Sequence, residues 1–159
     1  MRACEYFARA RVAAETLGPA VRSLAALREA RDDVVPWVPT SYGGGRARGA
    51  YSDPTASMAE RRMSSDIDGR VQVAQREVDA LEETVGEMLR LLDAIRTDMG
   101  DRHALVMELY YVDLLPTWSE VAWELRCSLK TVQRIRDSVL DHVDSIGVSG
   151  MLASVNGTK

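Results

Sequence analysis

Thr117-Trp118-Ser119-Glu120-Val121-Ala122, followed by Val132-Gln133-Arg134-Ile135, has the residue spacing of two helices that meet at a tight turn. Thr117 with Glu120 three positions later forms a capping box, in which each side chain satisfies a free backbone N–H at a helix start. The short helix it opens runs to about residue 125, with Trp118, Val121, Ala122 and Leu125 on its inner face. Ala122 falls where the two helices cross most closely, and a larger side chain there would push them apart. Ser128 caps the next helix, 129 to 146, whose inner face is Leu129, Val132, Ile135, Val139, Val143 and Ile146. A preceding helix, 101 to 113, turns Leu105, Val106, Leu109 and Val112 one way and is stopped before Pro116. The expected unit, residues 101–147, is a three-helix helix-turn-helix.

The outward face of its last helix carries Ser128, Lys130, Thr131, Gln133, Arg134 and Asp137, with Arg126 in the turn and Arg136 at the flank. These residue types suit a DNA groove. Arg and Lys match guanine N7 and O6, Gln matches adenine, and Ser or Thr reaches phosphate. A recognition helix reads base edges with its N-terminal half, which nominates Lys130, Gln133 and Arg134 for bases. Arg126, Ser128 and Arg136 are assigned to the backbone. From Asp101 to Gly147 there are eight carboxylates against five Lys and Arg, so the unit is acidic overall. Its cations are nevertheless grouped, because Arg126, Lys130, Arg134 and Arg136 are interrupted by no acid. Four phosphate contacts give only modest, salt-sensitive affinity, and tight binding would need a dimer or a tether. Trp123 belongs to neither face and is expected to pack on the long helices, with a partner contact as the alternative.

Upstream, Ala3, Phe7, Ala10, Ala14, Leu17, Val21 and Leu24 form one stripe of a helix from about residue 2 to 31, with a kink or break expected at Gly18-Pro19. Three prolines and four glycines in residues 34 to 54 mark a mobile loop, about 33–56. Arg46 and Arg48 lie in it and read as solvated loop charge, with a contact to a phosphate backbone as the alternative. A second long helix is expected to begin between Asp53-Pro54 and Ser65-Asp66. Its seam, Ile67, Val71, Ala74, Val78, Leu81, Val85, Met88, Leu92, Ile95 and Met99, alternates steps of four and three, the heptad rule of a coiled coil. Two partners satisfy that seam: the N-terminal helix of the same chain, or a second copy in a homodimer through Val71, Val78, Leu81, Val85 and Leu92. Leu89 and Leu91 widen the stripe, so more than two helices are expected to meet near its end. Gly100 is read as a left-handed C-cap and Asp101 as the cap of the next helix. The fold class is therefore all-α: a long helical hairpin or coiled coil over residues 1–100, the helix-turn-helix unit, and a flexible tail, 148–159.

Other classes fare poorly. A net charge of −4 argues against a protein that coats nucleic acid non-specifically. No apolar run approaches the roughly 20 residues of a membrane span, so no membrane partner is expected. The N-terminus lacks a charged flank before an apolar stretch, so no secretion signal is expected. Cys4 and Cys127 have no neighbouring Cys or His at metal-ligand spacing and read as two reduced thiols. His103 and His142 stand without a triad or metal arrangement, and Gly43-Gly44-Gly45 lacks the Lys-Ser or Lys-Thr of a phosphate-binding loop. No catalytic, cofactor or metal site is expected.

Leu109-Tyr110-Tyr111-Val112, Thr117 to Ala122, and Ser128-Leu129-Lys130-Thr131-Val132-Gln133-Arg134 together resemble phage-encoded transcription regulators of the ArpU and RinA type, whose C-terminal part is similar to the fourth region of bacterial sigma factors. The resemblance covers about residues 101 to 146. It is looser upstream, where it rests on Tyr6, Leu27-Arg28-Glu29-Ala30, a variable loop and a long helix. It implies a promoter-binding regulator of phage late or packaging genes, acting in the cytoplasm of a bacterial host cell. Arg126 departs from the small residue or Asn usual in that turn, where a left-handed non-glycine is strained. Two alternatives remain open: a small terminase subunit that marks phage DNA for packaging, and an adaptor that acts on host RNA polymerase without binding DNA.

Overall fold

The computed structural model describes residues 2–33 and 54–156. These form six helices and no strand: α1 (Ala3–Asp32), α2 (Pro54–Met99), α3 (Asp101–Tyr111), α4 (Trp118–Glu124), α5 (Leu129–Ile146) and α6 (Val148–Asn156). The all-helical expectation is met. The loop with Arg46 and Arg48, and the proposed cap Asp53, lie outside the described residues.

Local chemistry sets most boundaries. Pro54 opens α2, where its missing N–H costs nothing and its φ is already helical. Pro19 does not break α1, which runs unbroken from Ala3 to Asp32 and forgoes one backbone bond at the carbonyl of Glu15. Gly100 joins α2 to α3 as a single residue at φ 96 and ψ 163, a positive φ that an L side chain resists. Because the chain turns within that one residue, α3 starts at Asp101 with no side-chain cap. Asp101 instead places its carboxylate 3.5 Å from Arg96. Gly100 is thus the N-cap of α3 in an extended mirror conformation, correcting the expected left-handed cap and the capping role of Asp101.

Tertiary packing divides the chain into two units. One contains Met1–Pro19 with Asp79–Lys159, and the other is Ala20–Val78. In the first, Ala3, Tyr6, Phe7 and Ala10 of α1 meet Met88, Leu91, Leu92, Ala94 and Ile95 of α2. Ala104, Met107 and Tyr111 of α3, Val139 and Val143 of α5, and Met151 of α6 complete that core. Leu91 joins it as expected, whereas Leu89 is exposed. The expected flexible tail is instead helical through Asn156, and Met151 is 1% exposed. Composition alone missed this, because a short run of small residues was outweighed by two apolar anchors, Met151 and Leu152, that the core can bury. The same unit ties α1 to α5, since the backbone N–H of Ala3 donates to Asp144 Oδ1 at 2.6 Å. That carboxylate satisfies one of the orphan donors of a helix N-terminus.

In the second unit, Leu24 of α1 and Val71 and Val78 of α2 are buried, and the guanidinium of Arg28 donates to Gln75 Oε1. Val21, expected on the buried stripe, is exposed. The heptad seam is therefore spent inside one chain. Val71, Val78 and Leu92 are buried, and Leu81 and Val85 are half-buried, each within its own unit. Packing within one molecule thus accounts for the buried part of the seam, the first of the two partners the periodicity allows.

Tyr6 carries a cost inside the larger core. Its hydroxyl is buried with no hydrogen-bond partner among the described residues. Burial, reinforced by the nearby Glu87 carboxylate, pushes the phenol from 10 up to about 12. Tyr111 is also pushed up to about 12, first by burial and then by Tyr110. A folded pKa above the unfolded one means stability is intact below pH 10 and is lost as pH rises through about 12. Tyr6→Phe removes an unsatisfied group, so it is expected to raise unfolding free energy by about 1 kcal/mol. It should also soften the alkaline loss between pH 10 and 12. Urea melts at pH 7 and 11 check both, and a variant less stable than the parent at pH 7 sinks the assignment.

Candidate nucleic-acid interface

The helix-turn-helix geometry is built from caps that the sequence itself supplies. Thr117 Oγ1 accepts from Glu120 N at 3.2 Å and fixes the start of α4. The reciprocal bond, from the Thr117 backbone N–H to the Glu120 carboxylate, is not formed among the described residues, so only half of the expected capping box is present. Ser128 Oγ accepts from Thr131 N at 3.1 Å and lies 2.8 Å from Thr131 Oγ1, which opens α5. Between them the chain turns through Arg126 at φ 50, a left-handed non-glycine of the kind the resemblance implies at this turn, and Cys127 N donates back to Ala122 O at 2.9 Å. Val106, Val121, Ala122, Val132 and Ile135 form a second core beneath this turn.

Helix α3 serves two cores at once. Ala104, Met107 and Tyr111 enter the larger one while Val106 enters the second, so the single inner face expected for this helix is corrected, and Leu105 is 40% exposed. Leu129 and Ile146, expected inside, lie at the two ends of α5 beyond the packed turns and are likewise exposed. Leu114, at φ 60, is a second left-handed residue, one that no local sequence signal marks. Its turn is fixed from several sides: Asp113 N donates to Glu108 O at 3.0 Å and Leu115 N to Leu109 O at 3.1 Å.

Arg11 of α1 completes that turn. Its guanidinium donates to Tyr110 O at 2.7 Å and to Leu115 O at 3.3 Å, pairs with Glu15 at 2.9 Å, and lies 4.0 Å over the Tyr110 ring. Tyr110 in turn stacks on Trp118, with centroids 3.8 Å apart and planes 14° from parallel. Arg136 leans over the other end of this series, 5.5 Å from the Trp118 ring. Sequence reasoning missed Arg11 as a positioning residue. Its only local signal is a pairing with Glu15, and the contacts that matter reach about a hundred residues along the chain.

Ser128, Lys130, Thr131, Gln133 and Arg134 are brought together around one open hollow of about 660 Å³, which Asp137, Ser138 and Asp141 also line. Lys130, Gln133 and Arg134 are exposed, as is Arg126 in the turn. Among the described residues, Arg126, Lys130 and Arg134 make no ion pair, so their charges are uncommitted. The hydroxyls of Ser128 and Thr131 are engaged in the cap. Arg136 does not join the group, because it pairs with Asp137 at 2.6 Å and turns towards Trp118. Helix α5 is therefore polarised, with cations on its first two turns at the positive end of the helix dipole and Asp137, Asp141 and Asp144 on the later ones. An anionic ligand is favoured at the first half and repelled from the second.

Trp123 is 79% exposed and does not pack on the long helices, contrary to expectation. It occupies the outer face of α4, which the second core leaves free. His142 lies 3.5 Å from Asp98, a pairing between α5 and α2 that spacing along the chain could not show. Among the described residues no group of His, Cys, Asp and Glu is arranged to hold a metal ion, and no helix is long and apolar enough to cross a membrane. No protein-family model, no curated protein and no solved structure matches the chain.

Proposed function

We propose that the chain is a sequence-specific binder of double-stranded DNA that regulates transcription, with α5 as its recognition helix. One observation carries this reading. Lys130, Gln133 and Arg134 stand exposed and unpaired on the first two turns of α5, above a helix-turn-helix whose caps fix the angle at which they are presented. Their residue types match guanine and adenine edges in the major groove, and Arg126 in the turn is placed for phosphate. The acids on the later turns of α5 keep the contact short, which suits an operator reader better than a protein that coats DNA. The resemblance to ArpU- and RinA-type regulators favours phage late or packaging promoters as the sites.

Selection of bound fragments from a sheared phage genome tests the reading. Recovery of promoter segments supports it, enrichment of one packaging site moves the chain to the terminase alternative, and recovery no better than random ends sequence-specific binding. Arg126→Gly separates binding from folding. Glycine relieves a left-handed residue worth about 1 kcal/mol of strain but frees the unfolded chain by about 0.5–1 kcal/mol. Thermal stability is therefore expected to stay level or rise slightly. Affinity for a selected fragment falls, and the slope of log K against log salt shrinks by about 1. Loss of stability in this variant would contradict the turn geometry, and an unchanged salt slope would remove Arg126 from the phosphate contacts.

A further inference from the structure

We propose that the outer face of α4 is a docking site for a basic, amphipathic segment of a partner protein, which lays an arginine or lysine over the Trp123 indole beside the Glu120 and Glu124 carboxylates. Glu120 lies three residues before Trp123 and four before Glu124, so its carboxylate neighbours both side chains on the outer surface of α4, with Glu124 next in the chain to Trp123. All three are exposed, and the indole at 79% is the most exposed of the large apolar side chains among the described residues. Among the described residues neither carboxylate makes an ion pair. An indole left open to water beside uncommitted negative charges is the arrangement a guanidinium or ammonium recognises, through the ring face and a carboxylate together.

Charge complementarity chooses the occupant. DNA is disfavoured, since Glu120 and Glu124 would face phosphates with no cation between them, while Arg126, Lys130 and Arg134 lie in the turn and on α5. A purely apolar partner would bury both carboxylates without compensation. Trp and Arg pairs are also the residues around which interface energy concentrates. The docking face and the DNA-facing half of α5 are carried by different helices, so the two ligands need not compete.

The full chain is titrated, by fluorescence anisotropy, into a labelled synthetic helical peptide with arginines and leucines at three- and four-residue spacing, and into its counterpart with glutamate for arginine. The arginine peptide is expected to bind in a salt-sensitive manner and the glutamate peptide at least tenfold more weakly. Trp123→Ala and the double variant Glu120→Gln, Glu124→Gln each lose at least fivefold for the arginine peptide, while thermal unfolding and DNA gel shifts stay as in the parent. Equal peptide binding by Trp123→Ala, or preference for the glutamate peptide, overturns the proposal. A fall in DNA binding by Trp123→Ala also overturns it, by making Trp123 a DNA contact. Self-association that disappears with Trp123→Ala in sedimentation does so as well, by making the occupant a second copy.

Discussion

Replacing Arg11 with Ala lowers the unfolding free energy by about 2–3 kcal/mol, because hydrogen bonds from a charged donor to backbone carbonyls and a cation–π contact are lost together. For a chain of this size that corresponds to a drop of roughly 5–10 °C in melting temperature. The loss falls on the turn between α3 and α4. Tyr110 O and Leu115 O surrender their guanidinium donors, and Leu114 sits between them at φ 60, a conformation that persists only where its surroundings enforce it. At 17% side-chain exposure Arg11 is well shielded, so its replacement is not readily compensated by water. Arg11→Lys should recover less than half of the loss, since a single ammonium cannot span two carbonyls and also lie flat over the Tyr110 ring. Denaturant melts of the three proteins decide this, and an Arg11→Ala variant within about 0.5 kcal/mol of the parent would show that the turn holds itself.

The same residue shows where the sequence stops being legible. Several boundaries fixed by neighbours in the chain could be read: Thr117 and Ser128 cap as expected, and Pro54, one end of the expected range, opens a helix. These are contests between a side chain and its own backbone, decided within four residues. The heptad seam could be read as a buried stripe but not assigned a partner, because periodicity says which residues avoid water and not what covers them. Burial on two sides defeated the pattern for α3. A helix that feeds two cores has no single apolar face, so Leu105 read as inner and Ala104 and Met107 did not. Met151 failed for the opposite reason, being one anchor in a stretch too short and bland to show a period. In the candidate site, the exposed set Lys130, Gln133 and Arg134 followed from subtracting the inner face of α5. That subtraction could not reveal that Arg136 is drawn back by Asp137 and Trp118, since the second partner comes from another helix.

On the DNA-binding reading, Arg134→Ala weakens affinity for a selected operator by about 1–3 kcal/mol, roughly 5- to 150-fold, if its guanidinium holds guanine O6 and N7. Stability should not move with it, because Arg134 is exposed and makes no ion pair or hydrogen bond among the described residues. The discriminating measurement is the same titration on random duplex. A base contact vanishes on most sequences, so the loss appears on the operator and is largely absent on random duplex. A phosphate contact is lost equally on both and lowers the salt slope by about 1. Lys130→Ala and Gln133→Ala supply the internal standard, since the three lie on the same two turns and a helix entering the groove must bring at least one of them to a base edge. If all three variants lose affinity equally on operator and random DNA, the exposed half of α5 is an electrostatic handle. Specificity would then have to come from deformation of the DNA or from the partner that occupies Trp123. If none of them loses affinity, the first turns of α5 do not touch DNA, and the cations at 126, 130 and 134 require another anionic ligand.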